Sequence, residues 1–376
     1  MVRKEKHTQT DRALPKTELR ITRTMKIAHF GLFGVGNAGD TMLFRQTQEI
    51  FKFLYPDISF VNYNIHKETT EKQVEEINFT CDKIIVGGGG LFLRDTKPNE
   101  NSGWQWNCSV RNLVRLRKPL ILFGVGYNRF RGQKEFNPVF KKHINALASK
   151  SRFIGLRNEG SIVRIKRYLA EPLQKKVIYQ PCPTTMISKF LTFNKEIDKK
   201  KIILNIPFDR TEFRYGKHKE RILKNISSAM KELSKIYTVE AVFHCGADIN
   251  MLLPLEEAEV TYTTKHLQGK DYQTIFDYYK DAYLVVSGRG HGQQIPFGFN
   301  NLFVSLISHD KLKFFLEDTG LVELGLEMTS NELTPRLLNL IETTIKNEKQ
   351  IREKMTEQQE KLWTITETNI KNFIEE

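Results

Sequence analysis

The feature that most constrains the fold of this chain is a repeated alternation of short apolar runs with helical patterns. The runs are rich in β-branched and aromatic residues, and they read KIAHFGLF, ISFVNYN, KIIVGG, PLILFGVG, RFIGLR, KVIYQ, KIILNIPF, TVEAVFHCG, AYLVVSG and NLFVSLI. Helical periodicity lies between several of them, at residues 41–53, 161–169, 217–236 and 272–279. Strands that alternate with helices predict parallel sheets with helices on both faces.

One interruption of this alternation predicts two domains. A polar, lysine-rich stretch at residues 194–201 reads as a linker, and a chain of 376 residues is too long for one ordinary core. We therefore predict an α/β protein with two Rossmann-like parallel-sheet domains that face a cleft, at residues 25–193 and 202–332. The helical periodicity of residues 333–376, broken once, predicts C-terminal helices, and residues 1–24 read as a disordered basic tail.

The charge of the chain favours anionic partners. Its net charge is +14, of which the tail supplies only +4, so the excess lies on the folded body. Such a surface suits nucleic acid, an anionic membrane or phosphorylated small molecules. The chain has no zinc finger, RNP motif or helix-turn-helix signature, so nucleic acid is not the favoured partner.

Two sequence features bear on the compartment. No apolar run approaches the ~20 residues of a membrane span, and the N-terminus lacks a secretory apolar region. The four cysteines have no CxxC spacing, which is typical of thiols in a reducing cytoplasm. We expect a cytoplasmic protein, with peripheral contact at the anionic inner face of the membrane as an open alternative.

The first glycine-rich loop, GVGNAGD, has the G-x-G-x-x-G spacing of a dinucleotide site. A carboxylate at Asp40, directly after the third glycine, would repel a pyrophosphate, and no acidic residue ends the next strand. We therefore expect Asp40 to cap the following helix. A role for Asn37 or Asp40 in holding sugar hydroxyls is compatible with capping.

The second loop, VGGGGLF, has four consecutive glycines after a buried strand. A flexible surface turn is one interpretation. We favour a cleft lining at which a ligand meets backbone amides, with Gly88 and Gly89 as candidates. Trp104 and Trp106 follow in a long polar loop and suit either the core or stacking on a sugar ring.

Cationic residues follow three later strands. Arg157 follows RFIGL, and Arg289 and His291 lie among glycines after AYLVVSG, where we expect a helix to begin near His291. Backbone amides at a helix N-terminus favour phosphate or carboxylate, and a guanidinium can bind such a group with two hydrogen bonds. His291 can exchange a proton near neutral pH. Lys311 and Lys313 follow the next strand and could add a second cation.

In their order along the chain, these motifs resemble the polysaccharide pyruvyl transferase family from residue 25 to about residue 320. The matching stretches are GNAGDTML, DKIIVGGGGLF, KPLILFGVG, LRNEGS, SGRGHGQQIPFG and SHDKLKFFLEDTGL. The six stretches in this order indicate the family far more specifically than any one of them does alone. The chain departs from the family at Gly290, where an apolar residue is usual, and at Gln293 and Gln294.

The resemblance implies a GT-B-like pair of domains and a transferase that moves pyruvate from phosphoenolpyruvate to a sugar, forming a ketal across two hydroxyls. The sugar would belong to a cell-surface polysaccharide, such as a capsule or exopolysaccharide, or to a lipid-linked or nucleotide-linked precursor. The implied catalytic residues are Arg289 and His291. The implied phosphoenolpyruvate contacts are Arg157, Lys311 and Gly292, and Asn37, Asp40, Gly88 and Gly89 line the acceptor side. No cofactor or metal is implied.

Chemistry agrees with this assignment. Phosphoenolpyruvate carries a phosphate and a carboxylate, so it needs at least two cationic contacts, and its methylene carbon must be protonated. Two alternatives stay open. One is a GT-B glycosyltransferase that uses a nucleotide sugar, which would need a glutamate near the end of the second domain to hold the ribose; EDTG supplies Glu317, but the family resemblance explains this stretch better. The other is a non-catalytic anion-binding or glycan-binding protein, which would have little use for His291 beside Arg289.

Overall fold

A computed structural model describes residues 24–34 and 36–375 of the chain. The prediction of a disordered tail falls, apart from Thr24, outside these residues. The described strands are β1 (Met25–Gly31), β2 (Ile58–Asn64), β3 (Lys83–Phe92), β4 (Leu120–Tyr127), β5 (Ile154–Leu156), β6 (Val177–Tyr179), β7 (Lys201–Asn205), β8 (Thr238–Phe243), β9 (Tyr262–His266), β10 (Leu284–Ser287), β11 (Leu302–Ile307) and β12 (Gly325–Glu327).

Helices separate the strands along the chain. They are α1 (Ala38–Leu54), α2 (Glu71–Thr80), α3 (Val110–Arg115), α4 (Pro138–Lys150), α5 (Glu159–Lys166), α6 (Glu171–Gln174), α7 (Ile187–Phe190), α8 (Thr211–Arg214), α9 (Lys219–Leu233), α10 (Leu252–Glu257), α11 (Tyr272–Lys280), α12 (Gly290–Gly298), α13 (Asp310–Asp318), α14 (Leu333–Lys346) and α15 (Glu348–Glu375).

The strands form two six-stranded sheets, and every pairing within them is parallel. The first sheet has the order β2-β1-β3-β4-β5-β6, and the second has the order β12-β11-β10-β7-β8-β9. These findings confirm the predicted α/β class. Residues 191–200, which lie between the sheets along the chain, form neither helix nor strand. The predicted limits of the domains stay predictions.

The C-terminal helices connect the two halves of the molecule. The predicted single break falls at Asn347, between α14 and α15. Helix α15 then returns to the first sheet, where the Lys83 ammonium donates to the carbonyl of Phe373 at 2.6 Å. Gln180 at the end of β6 donates to the Thr366 hydroxyl at 3.0 Å. The last helix therefore forms part of the N-terminal domain's packing.

Two sequence interpretations were wrong or incomplete. Trp104 and Trp106 are 1% and 0% exposed, and they pack against each other and His143, so they are core residues and cannot stack on a sugar. Strand β9 was missed because its sequence, YTTKH, is mostly exposed at a sheet edge and has little apolar content. Edge strands of this kind give a weak periodic signal.

Candidate functional site

The site lies where the strand order of each sheet reverses direction. In the first sheet this switch falls between β1 and β3, and in the second between β7 and β10. Loops that leave such neighbouring strands diverge to opposite faces of the sheet, so they leave a crevice at the carboxyl ends. The two crevices meet, and residues from both halves of the chain line one cavity.

This cavity has a volume of about 180 Å³. Pockets for drug-sized ligands typically measure about 300–1,000 Å³, so its enclosed part fits a smaller ligand. The first half of the chain contributes Leu32, Asn37, Asp40, Gly90, Leu93, Thr96, Gln105, Asn128, Phe130 and Arg157. The second half contributes Asp209, Arg210, Arg214, His244, Arg289, Gly290, His291 and Lys311. The lining is therefore rich in cations.

Six of the nine predicted site residues come together in this cavity: Asn37, Asp40, Arg157, Arg289, His291 and Lys311. The other three are placed elsewhere. Gly292 lies inside α12, where an added Cβ would collide with the Ser287 hydroxyl. Gly88 and Gly89 lie within β3, and neither lines the cavity, whereas the neighbouring Gly90 does.

The glycine run is explained by packing. An added Cβ at Gly88 would lie 3.1 Å from the Gly124 carbonyl oxygen on β4, and 3.3 Å from Leu43 on α1. Gly89 has a φ of +106°, a conformation that residues with a side chain rarely adopt. The run is therefore part of a packed strand and not a flexible turn, and only its last glycine, Gly90, lines the cavity.

Arg289 is paired, which differs from the free clamp that the sequence suggested. Its Nε donates to Asp248 Oδ2 at 3.0 Å, its Nη2 donates to Asp248 Oδ1, and Nη2 lies 2.8 Å from Asp209 Oδ1. Asp248 is fully buried and also accepts from the amides of His244 and Cys245. Although burial alone would lower it, these carboxylates raise the pKa of Arg289. Much of its charge is therefore neutralised in place.

Arg157 and Lys311 are the cations without a carboxylate partner among the cavity residues that the structure describes. Arg157 is 5% exposed, and its Nε has no hydrogen-bond partner. Burial lowers the pKa of Arg157. Burial, together with the neighbouring Arg157 and Arg214, lowers the pKa of Lys311 well below its usual range. Both residues would be stabilised by an anion in the cavity.

Gly290 explains how Lys311 reaches the cavity. An added Cβ at Gly290 would lie 3.3 Å from Lys311 Cε, so the departure from the usual apolar residue makes room for this lysine. Lys313, the alternative cation, is exposed on α13 and pairs with Glu317 at 3.5 Å. Gln293 and Gln294, the other departures, are buried in α12 and do not line the cavity.

Helix α12 begins at Gly290, as predicted near His291, and no side chain caps its N-terminus. His291 lies in its first turn, with Nε2 buried and without a hydrogen-bond partner. Burial, with the positive charges of Arg157 and Lys311 nearby, lowers the pKa of His291 well below its usual range. These surroundings favour the neutral imidazole, and a bound anion would favour its protonation.

The N-terminus of α1 faces that of α12. Asn37, and not Asp40 as expected, caps α1: its Oδ1 accepts from the amides of Gly39 and Asp40 at 2.9 and 3.3 Å. The Asp40 carboxylate instead points into the cavity, 4.0 Å from His291 Nδ1. Gly39, the third glycine of the G-x-G-x-x-G pattern, has no room for a Cβ because the His291 ring packs on it. The pattern thus serves contact between the domains.

Sequence reasoning missed four charged or titratable residues of the cavity: Asp209, Arg210, Arg214 and His244. Asp209 accepts from Arg214 Nη2 at 3.0 Å. Although burial acts to raise it, Arg214 and Arg289 hold the pKa of Asp209 below its usual range. The rule that loops after parallel strands carry the site could have found these residues, because Asp209 and Arg210 lie in the loop after β7, Arg214 ends the short helix that follows this loop, and His244 follows β8 directly.

Comparison with known families accounts for the motifs. The family model of polysaccharide pyruvyl transferase matches residues 37–293. That match covers more than half of the 376 residues and both groups of cavity residues up to Gln293. The chain belongs to the polysaccharide pyruvyl transferase family. Membership makes this protein a transferase that acts on polysaccharides.

Solved structures confirm the GT-B-like fold of this family member. The S. aureus MnaA–UDP co-structure has 12% identity, a TM-score of 0.55, and coverage of 89% of this chain and 91% of that one. A putative UDP-N-acetylglucosamine 2-epimerase from Listeria monocytogenes has 10% identity, a TM-score of 0.57 and the same coverage. UDP-GlcNAc 2-epimerase from Methanocaldococcus jannaschii has 13% identity, a TM-score of 0.53, and coverage of 85% and 92%. A search of curated proteins found no match.

Two features are absent from residues 24–34 and 36–375. No helix there combines the length and the apolar content that crossing a membrane requires. In the same residues, no group of three or more His, Cys, Asp or Glu side chains could hold a metal ion.

Proposed function

We propose that this pyruvyl transferase takes pyruvate from phosphoenolpyruvate and joins it as a ketal to two hydroxyls of a sugar in a cell-surface polysaccharide or its precursor. The observation that carries the proposal is that Arg157 and Lys311, two cations with no carboxylate partner among the described residues, lie beside the uncapped N-terminus of α12. An enclosed cavity with this lining suits a small ligand with several negative charges.

Phosphoenolpyruvate matches this lining group by group. Its phosphate and carboxylate each need a cation or a helix N-terminus, and the cavity offers Arg157, Lys311 and the first-turn amides of α12. The ligand's charge would raise the pKa of Lys311 towards its ordinary range and so favour its charged form. Arg289 contributes mainly by holding Asp248 and Asp209.

His291 is the proton donor in this proposal. Burial and the nearby cations lower the pKa of His291; the ligand's charge raises it again, so that the imidazolium forms beside the substrate. It protonates the methylene carbon, and an acceptor hydroxyl bonds to the neighbouring carbon. The bond to phosphate then breaks, the second hydroxyl closes the ketal, and phosphate leaves with one hydroxyl proton.

Binding and turnover measured on the same preparation test this proposal. Phosphoenolpyruvate should raise the melting temperature of the wild type, and Lys311→Ala and Arg157→Ala should each weaken its binding by about tenfold or more, because one charge-assisted contact contributes roughly 1.5–3 kcal/mol. His291→Gln should bind it within a few-fold while phosphate release falls roughly 10²–10⁴-fold. Lys313→Ala, a lysine outside the cavity, is the control and should bind normally.

Other outcomes have defined meanings. A thermal shift with UDP-sugars and none with phosphoenolpyruvate would favour the glycosyltransferase alternative. Binding of phosphoenolpyruvate without release of its phosphate in the presence of any tested glycan would favour a binding protein. Near-normal turnover of His291→Gln would remove that residue from the chemistry.

A further inference from the structure

Asp40 has an arrangement that phosphoenolpyruvate binding does not require. It is a carboxylate in a cavity whose other features favour an anion. No hydrogen bond from a described residue reaches its side chain, although the side chain is only 19% exposed. A merely structural acid at this depth would be expected to have donors around it, because an unpaired buried charge is costly. The free-energy cost of keeping the Asp40 carboxylate without hydrogen-bond donors indicates that Asp40 has a chemical role.

The surroundings hold this carboxylate in a defined place. Asp40 lies in the first turn of α1, which Asn37 caps, and α1 is a 17-residue helix packed on the first sheet. An added Cβ at Gly89 would lie 3.8 Å from Asp40 Oδ1, so the carboxylate lies over the end of β3. On its other side is the His291 ring, which packs on Gly39.

Resting on the function proposed above, we infer that Asp40 is the catalytic base that accepts the proton of each acceptor hydroxyl as its oxygen bonds to the ketal carbon. The 4.0 Å between Asp40 Oδ1 and His291 Nδ1 is too long for a hydrogen bond, so the carboxylate is open to a hydroxyl. Two groups from different domains thus divide the proton transfers, with the base on α1 and the acid on α12.

The protons balance. His291 gives one proton to the methylene carbon, and the first hydroxyl gives one proton to Asp40, which passes it to His291 and restores the acid. The second hydroxyl's proton leaves with phosphate through Asp40. No oxidant, metal or additional reactant is consumed, and both bonds formed are carbon–oxygen bonds to the acceptor.

Charged groups from several elements face Asp40. They are Lys311 on α13, Arg157 after β5, Arg289 before α12, and Asp209 after β7. Burial, opposed by Lys311, Arg157 and Arg289, raises the pKa of Asp40 to about 6. Such a base is both more basic than an ordinary aspartate and mostly unprotonated at neutral pH, which suits general base catalysis.

The test compares the wild type with Asp40→Asn, using phosphoenolpyruvate and a panel of 4-nitrophenyl hexopyranosides that have free neighbouring hydroxyls. Asp40→Asn should bind phosphoenolpyruvate at least as tightly as the wild type, since a negative charge is removed, while kcat falls roughly 10²–10⁴-fold. In the wild type, kcat/KM, which reports the pKa values of the free enzyme, should fall as the pH is lowered through about 6. Asp40→Glu should restore part of the rate and the acid limb of this profile.

Asp271→Asn is the matched control. Asp271 is an exposed carboxylate at the N-cap of α11, and asparagine can cap that helix equally well. This variant should keep the wild-type rate and profile. Turnover of Asp40→Asn within a few-fold of the wild type would overturn the inference alone, as would weakened phosphoenolpyruvate binding. A wild type that binds no phosphoenolpyruvate would refute the proposed function, and this inference with it.

Discussion

Arg289 shows how a residue can be identified from sequence while its task is misjudged. Its position after a strand and before a helix indicated a cavity residue, and the structure places it there. Its ion pairs with Asp248 and Asp209 could not be predicted, because these residues lie in loops 41 and 80 positions away whose approach depends on the packing of the second sheet. The apolar strand sequence next to Arg289 does not indicate which carboxylates will pair with it.

We predict that Arg289→Ala destabilises the second domain by about 3–5 kcal/mol, because it leaves the fully buried Asp248 without its cation. Urea denaturation measures this loss. Arg157→Ala is the control at the same cavity. Arg157 has no carboxylate partner among the described residues, so its removal leaves no buried charge uncompensated and should cost about 1 kcal/mol or less, while phosphoenolpyruvate binding weakens by about tenfold or more. Equal stability of the two variants would show that the Arg289–Asp248 pair does not hold the fold.

At the scale of helices and strands, much of the fold was predictable, because apolar runs of four to eight residues are a direct signal of buried parallel strands. Strand β2 has the predicted residues, and α11 begins at the predicted Tyr272. What could not be predicted is where α15 packs. Its apolar residues indicated a buried face, but nothing in residues 348–375 states that the helix runs from the second domain, where Gln359 donates to the Phe297 carbonyl, to the first sheet at Phe373.

Phe373 tests that placement. Its side chain is 2% exposed, and its ring centroid lies 6.5 Å from that of Phe153. The Lys83 ammonium lies 5.0 Å from the same centroid. We predict that Phe373→Ala lowers the free energy of unfolding of the first domain by about 3–5 kcal/mol. Phe79→Ala makes the same chemical change at a residue that is 88% exposed, and it should change stability by less than about 0.5 kcal/mol. A similar small effect in both variants would mean that α15 is not an integral part of this domain.

At the scale of the whole molecule, ion pairs join the two domains around the cavity. Arg210 Nε and Nη2 donate to the two carboxylate oxygens of Asp95 at 3.0 and 2.9 Å, across 115 positions of the sequence. Arg131 similarly donates to Asp310 and Glu327. Arg210 lines the cavity and Asp95 does not, so their pair connects the lining to the loop after β3. A substrate that enters must pass such loops.

We predict that Asp95→Asn loosens this closure without touching the lining. The side chains of Arg210 and Asp95 are 23% and 38% exposed, and pairs of this exposure typically contribute about 0.2–1 kcal/mol. Opening of the loop should therefore become about 1.5–5-fold more frequent. Amide hydrogen exchange should report this as faster exchange in residues 93–97 and in the first turn of α12.

The matched control is Asp57→Asn, which removes the same charge from an exposed turn before β2, far along the sheet from the cavity loops. It should leave exchange in residues 93–97 unchanged. High salt weakens exposed ion pairs, so 0.5–1 M NaCl, roughly ten times the ionic strength at which the Debye length is about 10 Å, should bring the wild type close to Asp95→Asn. If both variants exchange alike, or if salt has no effect on the wild type, the Arg210–Asp95 pair does not govern access, and the apolar packing between the domains must hold the cavity closed by itself.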